Sequence, residues 1–409
     1  MVYSTKLRIY KTIFTCIQPN SLFLIALKNK KHFDIIICGG GAAGLLFANG
    51  LINNSEFDHL SIALIEKEEK NQNDRTWCFW EQGKGSWDHL VSSRWDNAIF
   101  QSQQYKTTFS LAPYQYKMIE GIKFYNHLYP LLEKAPNLDL IQAEISGINA
   151  HAKYTEVNTQ ETTYTGDKVF SSLPKEEYKQ QKKYPVLQQH FIGWFVKTEA
   201  PIFDPDTMVF MDFDLDQKNN TRFMYVLPFS PTEALVEYTL FSKELLEDKE
   251  YEAEITQYLT QRKAGKVSIT ATEKGSIPMT AYNFDQHNSA HLMHIGTAGG
   301  WTKASTGFTF QKSQEKINKL VEFLKKGQAL DKFPQRNKFN FYDMLFLDVL
   351  AKYNAEGSEL FSRMFRRNTP QLIFQFLDEK TSYRQEFLLM RSFPIRRFVS
   401  ALFKRIFSL

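Results

Sequence analysis

Near the start of the chain, Gly39, Gly40, Gly41, Ala42, Ala43 and Gly44 satisfy the spacing G-x-G-x-x-G. The chemistry open to such a loop is the holding of a pyrophosphate. Its first glycine permits a tight turn, its second lets backbone approach the phosphates, and its third lets a helix pack closely on a strand. The helix N-terminus adds N–H donors and a positive dipole. Glu66 lies 22 residues beyond Gly44, at the end of the next apolar run, where it can accept hydrogen bonds from ribose hydroxyls. The loop opens its domain, and no second fingerprint of this kind follows for a separate nicotinamide. One buried, extended dinucleotide such as FAD is therefore favoured. His287, His291 and His294 cluster in sequence without a carboxylate at ligand spacing, so no metal site is expected. No G-x-S-x-G nucleophile motif is present.

The elements around the loop give it meaning. Residues 33–38 (FDIIIC) suit a buried parallel strand, 45–52 a helix, and 61–65 a second strand, which together make one β-α-β unit. Residues 138–148 and 154–164 read as strands with alternating faces. Four further strand-like segments, 190–198, 207–213, 223–228 and 234–241, indicate an antiparallel sheet. A charged helix over 243–263 precedes a strand at 291–295 that ends in the glycine cluster 296–300, and helices dominate from 311 onward. The fold class expected is α/β, α+β overall: a Rossmann-type FAD-binding domain (33–130 plus 285–330) interleaved with an antiparallel-sheet substrate domain (131–284). A helical region (331–409) follows, and residues 1–32 form a poorly ordered extension.

Composition sets the limits. The 409 residues, 43% of them apolar, are enough for two sizeable domains. The net charge of +5 is concentrated at the two ends, which makes nucleic acid a poor partner. Three cysteines without C-x-x-C spacing fit a reducing cytoplasm. The 35 Phe, 19 Tyr and 6 Trp point either to a large apolar cavity tolerant of cations or to an aromatic-rich core. No run approaches the ~18 apolar residues needed to span a bilayer. Within 394–409, however, Ile395, Phe398, Val399, Leu402, Ile406 and Leu409 share one helical face. That stripe suits either a helix lying in a membrane interface or one docked on the core.

Several motifs in order carry a more specific signal: the loop at 39–44, DRTWCFWE at 74–81, MDF at 211–213, FMYVLPFSPTEALVEYTLFS at 223–242, IGTAGGWTKASTGFTF at 295–310, and LFSRMFRRNTP at 360–370. The chain resembles the lycopene cyclase family of carotenoid biosynthesis from about residue 33 to beyond 360. The resemblance implies a redox-neutral acid-base cyclisation of the ψ-ends of lycopene, or of other acyclic carotenoids, to β-ionone rings. It also implies reduced FAD that is not consumed, with NAD(P)H as the indirect electron source, and a peripheral place on the inner face of the cell membrane. Whether one or both ends cyclise, and whether the ring is β or ε, stays open, as does oligomeric state. An FAD-dependent reductase or hydroxylase acting on an isoprenoid, and a non-catalytic carotenoid carrier, are the alternatives.

On this resemblance Glu237 is the acid-base carboxylate, and Asp212 in MDF is the second catalytic candidate. Tyr238 stands where the family usually has a second acidic residue, and it joins Trp77 and Trp80 as a substrate-lining candidate. Arg75 is placed at the flavin or the substrate mouth. The cluster Gly296, Thr297, Ala298, Gly299 and Gly300 resembles the second FAD segment of the wider group, with Thr297 where Asp is usual. Thr306 and Gly307 are expected near the isoalloxazine.

Overall fold

A computed structural model describes residues 30–407. Most of the expected N-terminal extension, with Cys16, lies outside the described residues, as does Leu409. Lys30–His32, also assigned to that extension, already belong to the first strand, in register with Thr163–Thr165. Lys30 and Lys31 are fixed there by ion pairs to Glu156 and Asp139 at 3.1 and 2.6 Å.

Strand β1 (Lys30–Cys38) leads through the glycine loop into helix α1 (Ala42–Ile52) and then β2 (Ile62–Glu66), which pairs parallel to β1. Ile36, Ile37 and Cys38 are fully buried because both faces of this central strand are covered. Next come β3 (Thr76–Gln82), β4 (Ser93–Trp95), β5 (Asn97–Ser102), β6 (Tyr105–Ser110), β7 (Tyr114–Glu120) and α2 (Gly121–Glu133). Strands β3, β7 and β4 form a small sheet of their own. Helix α2 buries Phe124, Tyr125, Leu128 and Leu132, one stripe at helical spacing, in the core shared with β1, α1 and β2.

The sheet boundaries fall elsewhere than the sequence reading drew them. Residues 138–171 form four strands rather than two: β8 (Leu138–Gln142), β9 (Ile145–Ala150), β10 (Thr155–Thr159) and β11 (Thr163–Ser171). They extend the β1 sheet, in the order β8-β2-β1-β11-β10-β9, and so leave the expected 131–284 substrate unit. Alternation reports which face is buried, and that pattern is the same whichever sheet the strand joins.

The second large sheet follows α3 (Glu177–Gln180). It contains β12 (Val186–Thr198), β13 (Thr207–Asp212), β14 (Thr221–Ser230), β15 (Glu233–Ser242) and, after α4 (Asp248–Gln261), β16 (Val267–Thr280). Its order is β16-β12-β15-β14-β13-β5-β6, so β5 and β6 come from inside the expected FAD-binding segment. One face carries Leu235, Phe223 and Phe241 toward the C-terminal helices, and the other carries Val236, Tyr238 and Leu240 onto Tyr251, Ile255 and Tyr258 of α4. Strand β17 (Leu292–His294) then returns to the first sheet beside β11. Helix α5 (Phe310–Leu324) packs on α1, and α6 (Lys338–Lys352), α7 (Gly357–Arg367), α8 (Pro370–Leu377), α9 (Tyr383–Met390) and α10 (Ile395–Phe407) roof the second sheet.

Candidate active site

The glycine loop closes by direct crowding. Gly39 has φ +99° and donates its N–H to Ile65 O at 2.8 Å, and a Cβ on Gly44 would lie 1.9 Å from Gly39 O. Gly44 therefore packs the helix on the strand, whereas Gly41 has nothing within 4 Å of a built Cβ and opens toward a cavity. Gly39, Gly41, Ala42 and Ala43 line that cavity; Gly40 backs it, with a Cβ that would meet Tyr129 Oη at 2.4 Å. The Glu66 carboxylate accepts from Gly40 N at 2.5 Å and from Lys67 N and Glu68 N, which fixes it at the cavity edge.

The second glycine segment meets the first. Gly296 (φ +62°) comes so near Ala43 that a Cβ would lie 2.7 Å from the alanine Cβ. Thr297 and Ala298 line the cavity, whereas Gly299 and left-handed Gly300 pack against His294 O and Phe284 and shape the turn. Arg75, Trp77, Thr306 and Gly307 also line it, and Trp77 stacks on Phe310. Thr306 Oγ1, Ser313 Oγ and Gln189 Oε1 are buried at this wall without a partner among the described residues. Such groups are costly unless something polar meets them, so a loop open at Gly41 beside unpaired hydroxyls suits a polar dinucleotide.

Farther along the same cavity stand two carboxyl groups. Glu237 on β15 and Glu273 on β16 are both in register with Gly193 on the strand between them. A Cβ on Gly193 would lie 2.6 Å from Glu237 Cγ and 3.3 Å from Glu273 Cγ, so the missing side chain is what lets the two meet. Their side chains are hydrogen-bonded to each other. Burial, and then the charge and hydrogen bond of Glu273, push the Glu237 carboxyl well above the usual carboxylate range. Glu273 is also raised by burial, against the hydrogen bonds from Glu237 and Thr76 and the nearby Arg75 cation, all of which favour its charged form. Thr76 Oγ1 donates to Glu273 Oε2 at 2.7 Å. Tyr225 lies opposite Glu237 on β14, its hydroxyl 2.8 Å from that of Tyr116 and hydrogen-bonded to the Cys78 thiol. Burial holds both phenols neutral.

Three expected site residues are elsewhere. Asp212 is buried but does not line the cavity: it accepts from Arg262 Nη2 at 2.8 Å, Tyr258 Oη at 3.1 Å and Asp214 N at 2.9 Å. The apolar run around it hides an ion pair with Arg262, the residue that follows α4, and a hydrogen bond from Tyr258 within it. Tyr238 follows Glu237 directly, so the pleat turns it to the opposite face, where its hydroxyl accepts from Arg222. Trp80 is packed between Phe308 and Phe374 and donates to Asp378 at 2.7 Å, behind the cavity wall. Glu273, Gly193, Tyr225 and Tyr116 were not found from sequence. The available signal was the single glycine inside the aromatic run HFIGWFV, a residue that in a strand interior marks close approach of another group. His294 is buried, its Nδ1 on the Asn288 side chain, and desolvation lowers it to about 4. Among the described residues no three His, Cys, Asp or Glu gather as a metal-ligand set.

The cavity, about 1540 Å³, runs on between aromatic walls that include Phe210, Phe361 and Phe365 and reaches Phe387, Met390, Ile395, Val399 and Leu402 on α9 and α10. There the surface is apolar: Tyr383 is 76% exposed, Phe387 63% and Phe407 78%. Of the stripe expected on the last helix, Ile395, Phe398, Val399 and Leu402 all line the cavity, Ile395 and Val399 at its exposed end, and Ile406 faces outward. Helix α10 is nevertheless anchored, with Ala401 buried and Arg405 held by two 2.6 Å bonds to Asp348. Among the described residues no helix is long and apolar enough to cross a membrane.

The two large sheets and the cleft at the glycine loop define an α/β protein with a Rossmann-type fold. A flavoprotein/dehydrogenase from Cytophaga hutchinsonii matches it with a TM-score of 0.61 at 12% identity, over 93% of this chain and 100% of that one. Within that class the sequence profile described as lycopene cyclase protein matches residues 34–403, and the chain belongs to the lycopene cyclase family. It is 24% identical over 262 residues to a lycopene beta-cyclase of Pantoea ananas, covering 61% of this chain and 63% of that protein. To a lycopene beta-cyclase of Paracoccus sp. it is 28% identical over 125 residues, 30% of this chain and 32% of that one. The matched stretches thus span less than two thirds of either relative.

Proposed function

We propose that the chain is an FAD-dependent lycopene β-cyclase. The observation that carries this reading is Glu237: a buried carboxyl set beside Glu273 across Gly193, facing an aromatic cavity continuous with the glycine loop, where burial favours its protonated form. FAD would be held by the loop at Gly39 to Ala43, by Glu66 at its ribose, and by the segments around Thr297 and Thr306. Bound in its reduced form, with NAD(P)H as the indirect source of electrons, it supplies electron density that favours a cationic transition state.

The chain's own residues carry the proton. Glu237 gives its proton to the terminal double bond of an acyclic ψ-end of lycopene or another acyclic carotenoid, and a neighbouring double bond closes on the tertiary cation. Tyr225, Tyr116 and Phe210 offer ring faces to that cation and exclude water. The Glu237 carboxylate then removes a ring proton, leaving a β-ionone end with no net oxidation or reduction. The apolar surface on α9 and α10 would rest on the inner face of the cell membrane, so that a long hydrocarbon enters from lipid.

The test is anaerobic incubation of the protein with lycopene and reduced FAD in deuterated water, followed by chromatography and mass spectrometry. Cyclisation gives a product of unchanged mass apart from deuterium gained at the protonated carbon. A change of two hydrogens or one oxygen would point to a redox enzyme instead. Glu237→Gln is expected to lose at least ~100-fold in turnover while keeping its flavin.

A further inference from the structure

We propose that Glu237 and Glu273 act as one proton-sharing pair across Gly193, in which Glu273 is the positioning residue that keeps the proton on Glu237. The geometry separates their roles. Glu273 has two further partners, the Thr76 hydroxyl at 2.7 Å and the Arg75 cation, and both stabilise a carboxylate. Among the described residues Glu237 has no such partner. Its surroundings are Tyr225 on β14, Tyr116 on β7 and Cys78 on β3, all uncharged, and Glu273 itself on β16. Lys274, the next residue on β16, has its charge paired with Asp248. One negative charge is thus accommodated on Glu273, and the shared proton rests on Glu237, whose O–H donates to it.

This arrangement serves both halves of a proton cycle. Two carboxylates at this separation in a dry site repel, so only one ionises readily. Before the reaction that repulsion keeps Glu237 charged with a proton at neutral pH. Once the proton has moved to substrate carbon, the site holds two carboxylates beside one carbocation, which offsets the repulsion while the cation lasts. Loss of the ring proton to Glu237 restores the starting pair, so no proton is exchanged with solvent between the two steps. Gly193 is the structural condition for this, because any side chain there would enter the space where the two side chains meet.

The catalytic consequence rests on the cyclase reading, but the proton pair can be tested without substrate. The flavin-loaded protein is titrated from about pH 5 to 9 by infrared difference spectroscopy, following the C=O band of protonated carboxyl groups. A band present at neutral pH and lost in Glu237→Gln is expected. In Glu273→Gln the midpoint of that band should fall by more than about one pH unit, a tenfold change in the protonated fraction on the alkaline side. Gly193→Ala, which keeps both carboxyls but forces them apart, should shift it the same way, and Glu273→Asp should restore part of the shift. The alkaline limb of the turnover profile should move with the band. A midpoint unchanged in folded, flavin-bearing Glu273→Gln or Gly193→Ala protein overturns the pair. If the band behaves as described but the wild-type protein forms no cyclised product, the pair stands and the cyclase reading falls.

Discussion

If α10 is the membrane contact, its binding strength should follow from its exposed side chains. Phe403 and Phe407 stack at 5.9 Å between ring centroids and are 54% and 78% exposed, together somewhat more than one whole side chain available to lipid. Burying a Phe side chain is worth about 1.5–3 kcal/mol, so replacing both by Ser should cost roughly 2–4 kcal/mol of membrane affinity, about 30- to 800-fold in partitioning. Neither ring lines the cavity, and α10 keeps its Ala401 and Arg405 anchors, so the fold should survive. The assay is sedimentation with phosphatidylcholine vesicles containing a minority of phosphatidylglycerol, with Ile269→Ser, an apolar site on β16 that is 49% exposed, as the control. Turnover of detergent-dispersed lycopene should stay within about twofold of wild type. Partitioning of the double variant within twofold of wild type would refute the reasoning, because the largest exposed apolar area on the helix would then be making no contact with lipid.

Asp212→Asn should lower the melting temperature, since it leaves Arg262 and Tyr258 facing a neutral group at a buried position, at a cost of about 1–3 kcal/mol. The surviving enzyme should keep its turnover, because Asp212 is not in the cavity wall. Gly44→Ala sets a methyl 1.9 Å from Gly39 O, and overpacking of about 1–3 kcal/mol together with loss of flavin absorbance on purification is expected. His190, buried between Tyr251 and Ser242, is lowered by desolvation from 6.5 to about 4. The unfolded chain therefore takes up a proton that the folded one resists: stability is complete above about pH 6.5 and falls as pH drops toward 4. Melting curves across this window should show the fall, and His190→Gln should flatten it in part, with His294 contributing the remainder.

The nucleotide half was legible because it rests on local patterns. FDIIIC, the glycine spacing and Glu66 each act within one β-α-β unit, and the structure brings them to a single edge. Strand partnership was not legible in the same way. Nothing in residues 138–171 states that they pair with β1, and nothing in 97–110 states that they join the far sheet. The carboxyl site was half legible. Glu237 was found through a motif, but Glu273 is 36 residues away in a strand whose polar sequence resembles a surface edge, and only the β12 register unites them.

Period two explains both the success and the errors on β15. With Glu237 on the cavity face, Leu235, Thr239 and Phe241 must share that face, and all four line the cavity. By the same rule Tyr238 cannot, and it belongs to the layer against α4. A second acid placed next to Glu237 in sequence would therefore point into that apolar layer, away from the cavity. Chemistry that needs two carboxyls at one point must draw the second from a neighbouring strand, across a residue small enough to let them touch. Gly193 supplies that gap and Glu273 the group. A pair built across strands keeps its geometry only while the register holds, so the ten-pair ladder of β12 with β15 is part of the proposed acid-base site as much as of the fold.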